Sequence, residues 1–272
     1  MEFEKLKLLF RMFNRKERYH LVRAACEGDF RLNQEFYDAL VCEGSQKAQR
    51  KSAWVAMDYH LDWISAVLFL LKSDQKFLAE FLDAGNSENT LRDIVFANQL
   101  IGSPLESEGL ALEGNQQDVD LLVLMQEDSG SVFHLFMVEA KFDSGWDNKQ
   151  LKIKGKRISQ IFPEDSVALP GGGRLHFHWR FAGLKGKSST KANLESFPDW
   201  VLNQVGSSEE MTNSGAYISY SPEGGRADSQ SDNAELSLPV IVKPTRLRSE
   251  EKKENLAYDK WRMERVWVRS TS

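Results

Sequence analysis

The chain has 272 residues, of which 41% are hydrophobic and 28% charged. This is the make-up of an ordinary soluble globular protein, with room for one large domain or a core with appended subdomains. A formal net charge of -5 excludes a protein that coats nucleic acid with a basic surface throughout.

Residues 1–86 read as a helical N-terminal region. The opening MEFEKLKLLFRMFNRKER interleaves charge with apolar residues, whereas a signal peptide needs an unbroken apolar centre. Within it Phe3, Leu6, Leu9, Phe10 and Phe13 recur at three- and four-residue spacing and form one apolar stripe. The cysteines, Cys26 and Cys42, lie in no CxxC and beside no Cys/His cluster, which fits plain thiols in a reducing cytoplasm. Trp54 to Leu71 lacks Gly and Pro and is apolar nearly all round, so it reads as a buried helix. Its most apolar part, Trp63 to Leu71, is too short to span a bilayer. Neither secretion nor a membrane span is expected.

Residues 87–192 read as an α/β core. After the break at Asp83-Ala-Gly-Asn-Ser, Ser87 is placed to cap a helix from Glu88 to Leu100, ended by Gly102 and Pro104. Val119 to Met125 and Val132 to Phe142 are β-branched, aromatic and apolar on both faces, as interior strands are. Glu127 to Gly130 reads as the hairpin loop between them. Asn148 to Phe162 reads as a helix ended by Pro163, and Gly171-Gly-Gly173 separates it from a strand at Leu175 to Ala182. The order is helix, strand, hairpin of two strands, helix, strand.

Residues 193–272 read as a C-terminal extension packing on the core. Phe197 to Val205 is a helix candidate, and Tyr217 to Tyr220 and Leu238 to Val242 are strand candidates. The polar Ser221 to Glu235 reads as a mobile loop. Trp261, Val266 and Val268 mark a last element.

Glu139 and Lys141 stand two apart on a strand, so alternation puts both on one face. Burying a carboxylate and an ammonium is expensive unless they are paired or bind something. A hairpin loop centred on Asp128 and Ser129 pairs Gln126 with Ser131. Counting back sets Asp118 opposite Glu139 and Asp120 one diagonal step away, within roughly 7 Å. A one-residue slip would send the aspartates to the other face. Carboxylates converging in this way suit Mg²⁺, which takes oxygen ligands and keeps several waters. Such an ion polarises a phosphoryl oxygen and acidifies water, and a lysine beside it can stabilise developing charge or help position the attacking water.

Asp120-Leu-Leu-Val followed by Val138-Glu139-Ala140-Lys141 resembles the PD-(D/E)XK nuclease superfamily, over roughly residues 88–182. The resemblance implies a restriction-endonuclease-like αβββαβ core with a mixed central sheet. It implies that Asp120 and Glu139 bind Mg²⁺ or Mn²⁺ together with the backbone carbonyl of Ala140. It makes Lys141 catalytic and Gln150, at the start of the next helix, a further site residue. Asp118 stands where a proline is often found in that family, and it is a rival metal aspartate. Glu88 is the candidate glutamate of the first core helix.

The charge distribution agrees with this reading. Residues 141–192 hold eleven Lys/Arg against four Asp/Glu. Lys149, Lys152, Lys154, Lys156 and Arg157 crowd one helix, as expected for binding a phosphate backbone. Trp179 and Arg180 are candidate stacking or phosphate contacts. His176 and His178 share a strand face, which leaves a zinc hydrolase as a weaker reading. The expected function is a metal-dependent nuclease hydrolysing phosphodiester bonds of nucleic acid, with DNA the first substrate to test and a second copy of the chain a candidate partner. The alternative is a catalytically silent nuclease-fold protein that serves as a nucleic-acid-binding or assembly module.

Overall fold

A computed structural model describes residues 2–14, 31–32, 34–41, 45–72, 78, 95–97, 112–114, 117–141, 148–184, 194–206, 217–220, 240–247 and 260–268. The chain forms two compact units. One comprises residues 1–16, 60–117 and 236–272, and the other residues 17–59 and 118–235. The units are assembled from separated segments, whereas the blocks 1–86, 87–192 and 193–272 expected from sequence are contiguous.

The larger unit is built on a mixed sheet of strands β1 (Trp54–His60), β3 (Asp118–Gln126), β4 (Val132–Lys141), β5 (Ser166–Ala168), β6 (Arg174–Leu184) and β7 (Tyr217–Tyr220). The strand order is β1-β3-β4-β6-β5, and β7 also pairs with β6. β3 and β4 form an antiparallel hairpin, while β4 and β6 run parallel. Parallel neighbours need a crossover, and helix α4 (Asn148–Ile161) supplies it. The other edge of β6 is shared. Its start pairs antiparallel with β5, and its end pairs parallel with β7.

Burial on both faces explains why the hairpin sequence is apolar throughout. Leu122, Leu124, Phe133, Leu135 and Met137 alternate with Val123, Met125, Phe136 and Val138, and all are buried. The second set packs in a core with Leu32, Ala182, Ile218 and Leu40, the last residue of helix α2 (Gln34–Leu40).

α4 is held by the segment that leads into helix α5 (Asp199–Val205). Gly155 makes this approach possible, because a Cβ there would lie 2.6 Å from Phe197 Cδ2 and 3.0 Å from the Ser196 carbonyl carbon. Ser159 Oγ donates to the Ser196 carbonyl at 2.9 Å, and Trp200 Nε1 donates to the Phe162 carbonyl at 2.8 Å.

The smaller unit contains helices α1 (Phe3–Phe13) and α3 (Leu61–Lys72). It also holds a three-stranded antiparallel sheet in the order β2 (Val95–Ala97), β9 (Lys260–Val268), β8 (Val240–Leu247). The α1 stripe is confirmed in Leu6, Leu9, Phe10 and Phe13, all fully buried. Among the described residues no helix is long and apolar enough to cross a membrane.

Two expected elements differ. Trp54 to Leu71 is not one helix, since its first part is β1 and only Leu61–Lys72 is helical. A run that is apolar all round carries no period to separate strand from helix. Here Asp58 takes a left-handed φ of 50°, and the helix starts where His60 Nδ1 accepts the Asp62 amide at 3.0 Å. The helix expected over Glu88 to Leu100 contains β2, which pairs with the distant β9. The rest of that stretch, Cys26, Cys42 and the loop Ser221 to Glu235 lie outside the described residues.

Candidate metal and phosphate site

The β3–β4 turn fixes the site. Glu127 N–H donates to the Val132 carbonyl at 2.9 Å, and Gly130 N–H donates to the Glu127 carbonyl at 3.0 Å. Gly130 closes the turn at a φ of 74°, which a residue without a Cβ adopts readily. Gln126 pairs with Phe133, not with Ser131, and the ladder runs on to Leu121 opposite Val138. The register is therefore two residues away from the expected one. A shift of two preserves the faces. It also improves the alignment, because one further step sets Asp120, not Asp118, opposite Glu139.

At that step a side chain replaces the backbone ladder. Asp120 Oδ2 accepts the Ala140 amide at 2.6 Å. The neighbouring Glu139 is 5% exposed, and its Oε2 accepts from Lys154 Nζ on α4. Lys154 is 9% exposed, so the ion pair is buried. Leu151 and Ile158 on the same side of α4 are buried with it. Each charge offsets the cost of burying the other.

The remaining expected site residues fall as follows. Asp118 begins β3, half-buried, two residues before Asp120. Lys141 ends β4 with Gly183 as its register partner, and it is described in its backbone. Gln150 is exposed in the first turn of α4. Glu88 lies outside the described residues. The basic residues of α4 divide, with Lys149, Lys152 and Lys156 exposed and Lys154 and Arg157 buried. Trp179 and Arg180 do not face solvent, being fully buried. The Arg180 guanidinium donates to the carbonyls of Leu40 and Trp179 and to Gln204 Oε1.

Among the described residues no group of three or more His, Cys, Asp or Glu side chains is placed to hold a metal ion. The donor set of Asp120 and Glu139 is two hard carboxylates. It fits an ion such as Mg²⁺ that completes its shell with a backbone carbonyl and water, and it fits poorly an ion that needs a closed protein cage.

The opposite sheet face carries a histidine cluster that sequence reading found only in part. His176 and His178 are joined by His134, because the parallel register sets His134 beside His176. His134 Nε2 lies 3.0 Å from Glu127 Oε1, and His134 Nδ1 lies 2.9 Å from His178 Nε2. A carboxylate only accepts, so His134 donates from Nε2, and its Nδ1 accepts the hydrogen bond that His178 donates from Nε2. His178 Nδ1 is then a bare acceptor, and it is buried with no hydrogen-bond partner among the described residues. Burial lowers the pKa of His134 and, with the Arg180 charge, holds His178 well below the ordinary 6.5. The signal in the sequence was the i, i+2 spacing of two histidines, while the third depended on strand order.

No protein-family model, curated protein or solved structure matches this chain. The case for its function therefore rests on the residues themselves.

Proposed function

We propose that this protein is a Mg²⁺-dependent nuclease that hydrolyses phosphodiester bonds of nucleic acid, with DNA the first substrate to test. The observation that carries the reading is the alignment of Asp120 with Glu139 on adjacent strands, with the Ala140 amide tied to Asp120. The sheet order gives support. β3, β4 and β6 are neighbours in that order, with α4 crossing from β4 to β6, while β1 flanks β3 and is separated from it in the chain by α3 and β2. A hairpin followed by a helical crossover to a parallel strand agrees with the core that the sequence resemblance implies.

In this reading Asp120, Glu139 and the Ala140 carbonyl hold the cation, with Asp118 as the rival aspartate that the sequence offers. The cation supplies polarisation of the phosphoryl oxygen and acidification of water. Lys141 stabilises charge on the phosphate, and Gln150 is the further site residue that the resemblance implies. The exposed Lys149, Lys152 and Lys156 attract the backbone by charge. A cytoplasmic setting agrees with the sparse cysteines.

A second reading, a catalytically silent nuclease-fold module that binds nucleic acid, is favoured by one observation. Lys154 already engages Glu139 in a buried pair, as a purely structural salt bridge would. Cleavage of plasmid, single-stranded DNA and RNA in Mg²⁺ or Mn²⁺ separates the two, with Glu139→Ala and Lys141→Ala as controls. Metal-dependent cleavage abolished by both substitutions supports the enzyme. Binding without cleavage supports the silent module.

A further inference from the structure

We infer that Lys154, set against Glu139 at the buried end of β4, is a positioning residue that competes with the divalent cation for that carboxylate. The inference rests on the nuclease reading. It changes the role of a residue that looks, in sequence, like one more member of a basic helix face.

The division of α4 is the starting point. Lys149, Lys152 and Lys156 recur at i, i+3 and i+7 and are exposed. Lys154 lies on the other side of the helix, buried next to Leu151 and Ile158. An ammonium in such surroundings persists only against a counter-charge, and Glu139 is that counter-charge. The helix has little freedom to carry Lys154 away. Gly155 is pressed on Phe197 and Ser196, and the Ser159 and Trp200 hydrogen bonds tie the same turns to the α5 segment. The lysine is thus delivered to Glu139 by the packing of α4, not by a flexible surface stem.

The consequence is electrostatic. Lys154 keeps Glu139 aimed in the absence of a cation. When a divalent ion shares that carboxylate, it meets the ammonium at short range, and each weakens the other's hold. Lys154 therefore lowers metal affinity while raising the stability of the metal-free protein. A lysine with a purely structural role would do only the second.

The test is titration of the purified full chain with Mn²⁺, following free Mn²⁺ by electron paramagnetic resonance, for wild type, Lys154→Met, Lys154→Gln and Lys154→Arg. Removing one positive charge a few ångströms from a divalent ion in a partly screened site tightens binding by roughly tenfold. Lys154→Met should show this, together with a lower metal-free Tm that Mn²⁺ restores more strongly than in wild type. Lys154→Arg keeps the charge and should bind Mn²⁺ as wild type does. Lys154→Gln can still donate to Glu139, so it gives the affinity reading if Lys154→Met does not fold. Equal or weaker Mn²⁺ binding by the neutral variants, with clear binding by wild type, overturns the role of Lys154 and leaves the nuclease reading standing. No Mn²⁺ binding by any of the chains overturns both.

Discussion

Asp120 does two things across from Glu139: its carboxylate stands on the same sheet face, and it replaces the backbone ladder by accepting the Ala140 amide at 2.6 Å. Its charge and its hydrogen bond can be separated. Asp120→Asn keeps an acceptor for Ala140 and loses the charge, while Asp120→Ala loses both. Asp120→Asn should keep the wild-type Tm and lose cleavage by about 100-fold or more, in the range that loss of an electrostatic catalytic group produces. Asp120→Ala should also lose about 1 kcal/mol of stability from the orphaned amide. Parallel urea melts and cleavage rates check this, and full activity in Asp120→Asn would remove Asp120 from the site.

Gly155 sets the height of α4. In an open helix Gly→Ala gains about 1 kcal/mol. Here the new Cβ would lie 2.6 Å from Phe197 Cδ2 and 3.0 Å from backbone at Ser196. Gly155→Ala should therefore destabilise the protein, by about 1–3 kcal/mol as overpacking does. Phe197→Ala in the same chain should recover part of the loss. Chemical denaturation of the two single variants and the double variant decides the matter, and simple additivity would contradict the packing argument.

The histidine cluster makes stability depend on pH. The pKa values of His134, His176 and His178 are all lowered in the folded protein, first by burial. The groups facing them are Glu127, Asp165, Arg174 and Arg180, together with one another. The unfolded chain, with ordinary values near 6.5, binds more protons as the medium is acidified. Stability is then fully present above about pH 6.5 and falls as pH drops toward the lowered folded values. Urea melts from pH 7.5 to 5.5 should show this decline, and His178→Gln should flatten it. An equal slope in the variant would show that the cluster is not responsible.

Exposed and buried lysines of α4 should behave differently toward nucleic acid. Lys149→Ala, Lys152→Ala and Lys156→Ala should each weaken binding across sequences and reduce the slope of log affinity against log salt by about one where the lysine meets a phosphate. Fluorescence anisotropy of a labelled duplex, measured at several salt concentrations with metal chelated, gives both quantities. Unchanged slopes in all of these variants would remove α4 from the binding surface.

Much of the larger unit was legible in the amino-acid sequence because its signals are local. The apolar runs of β3 and β4 name buried strands, Asn148 to Ile161 has helical period, and Gly130 and the glycines before Arg174 mark turns. Alternation along one strand is also local, and it alone puts Glu139 and Lys141 on one face. What failed was equally physical. Trp54–His60 and Val95–Ala97 form strands only because distant segments pair with them, and their own sequences carry no period that says so.

Tertiary structure decided the rest. The turn closed by Gly130 moved the register by two and brought Asp120, in place of Asp118, opposite Glu139. Parallel pairing of β4 with β6 joined His134 to His176 and His178. The clamp on α4 turned Lys154 inward while its neighbours Lys152 and Lys156 stayed in solvent. A sequence states which residues carry charge and which alternate together. Which charges meet depends on register and on how closely a helix packs, and both are set by contacts between residues far apart in the chain.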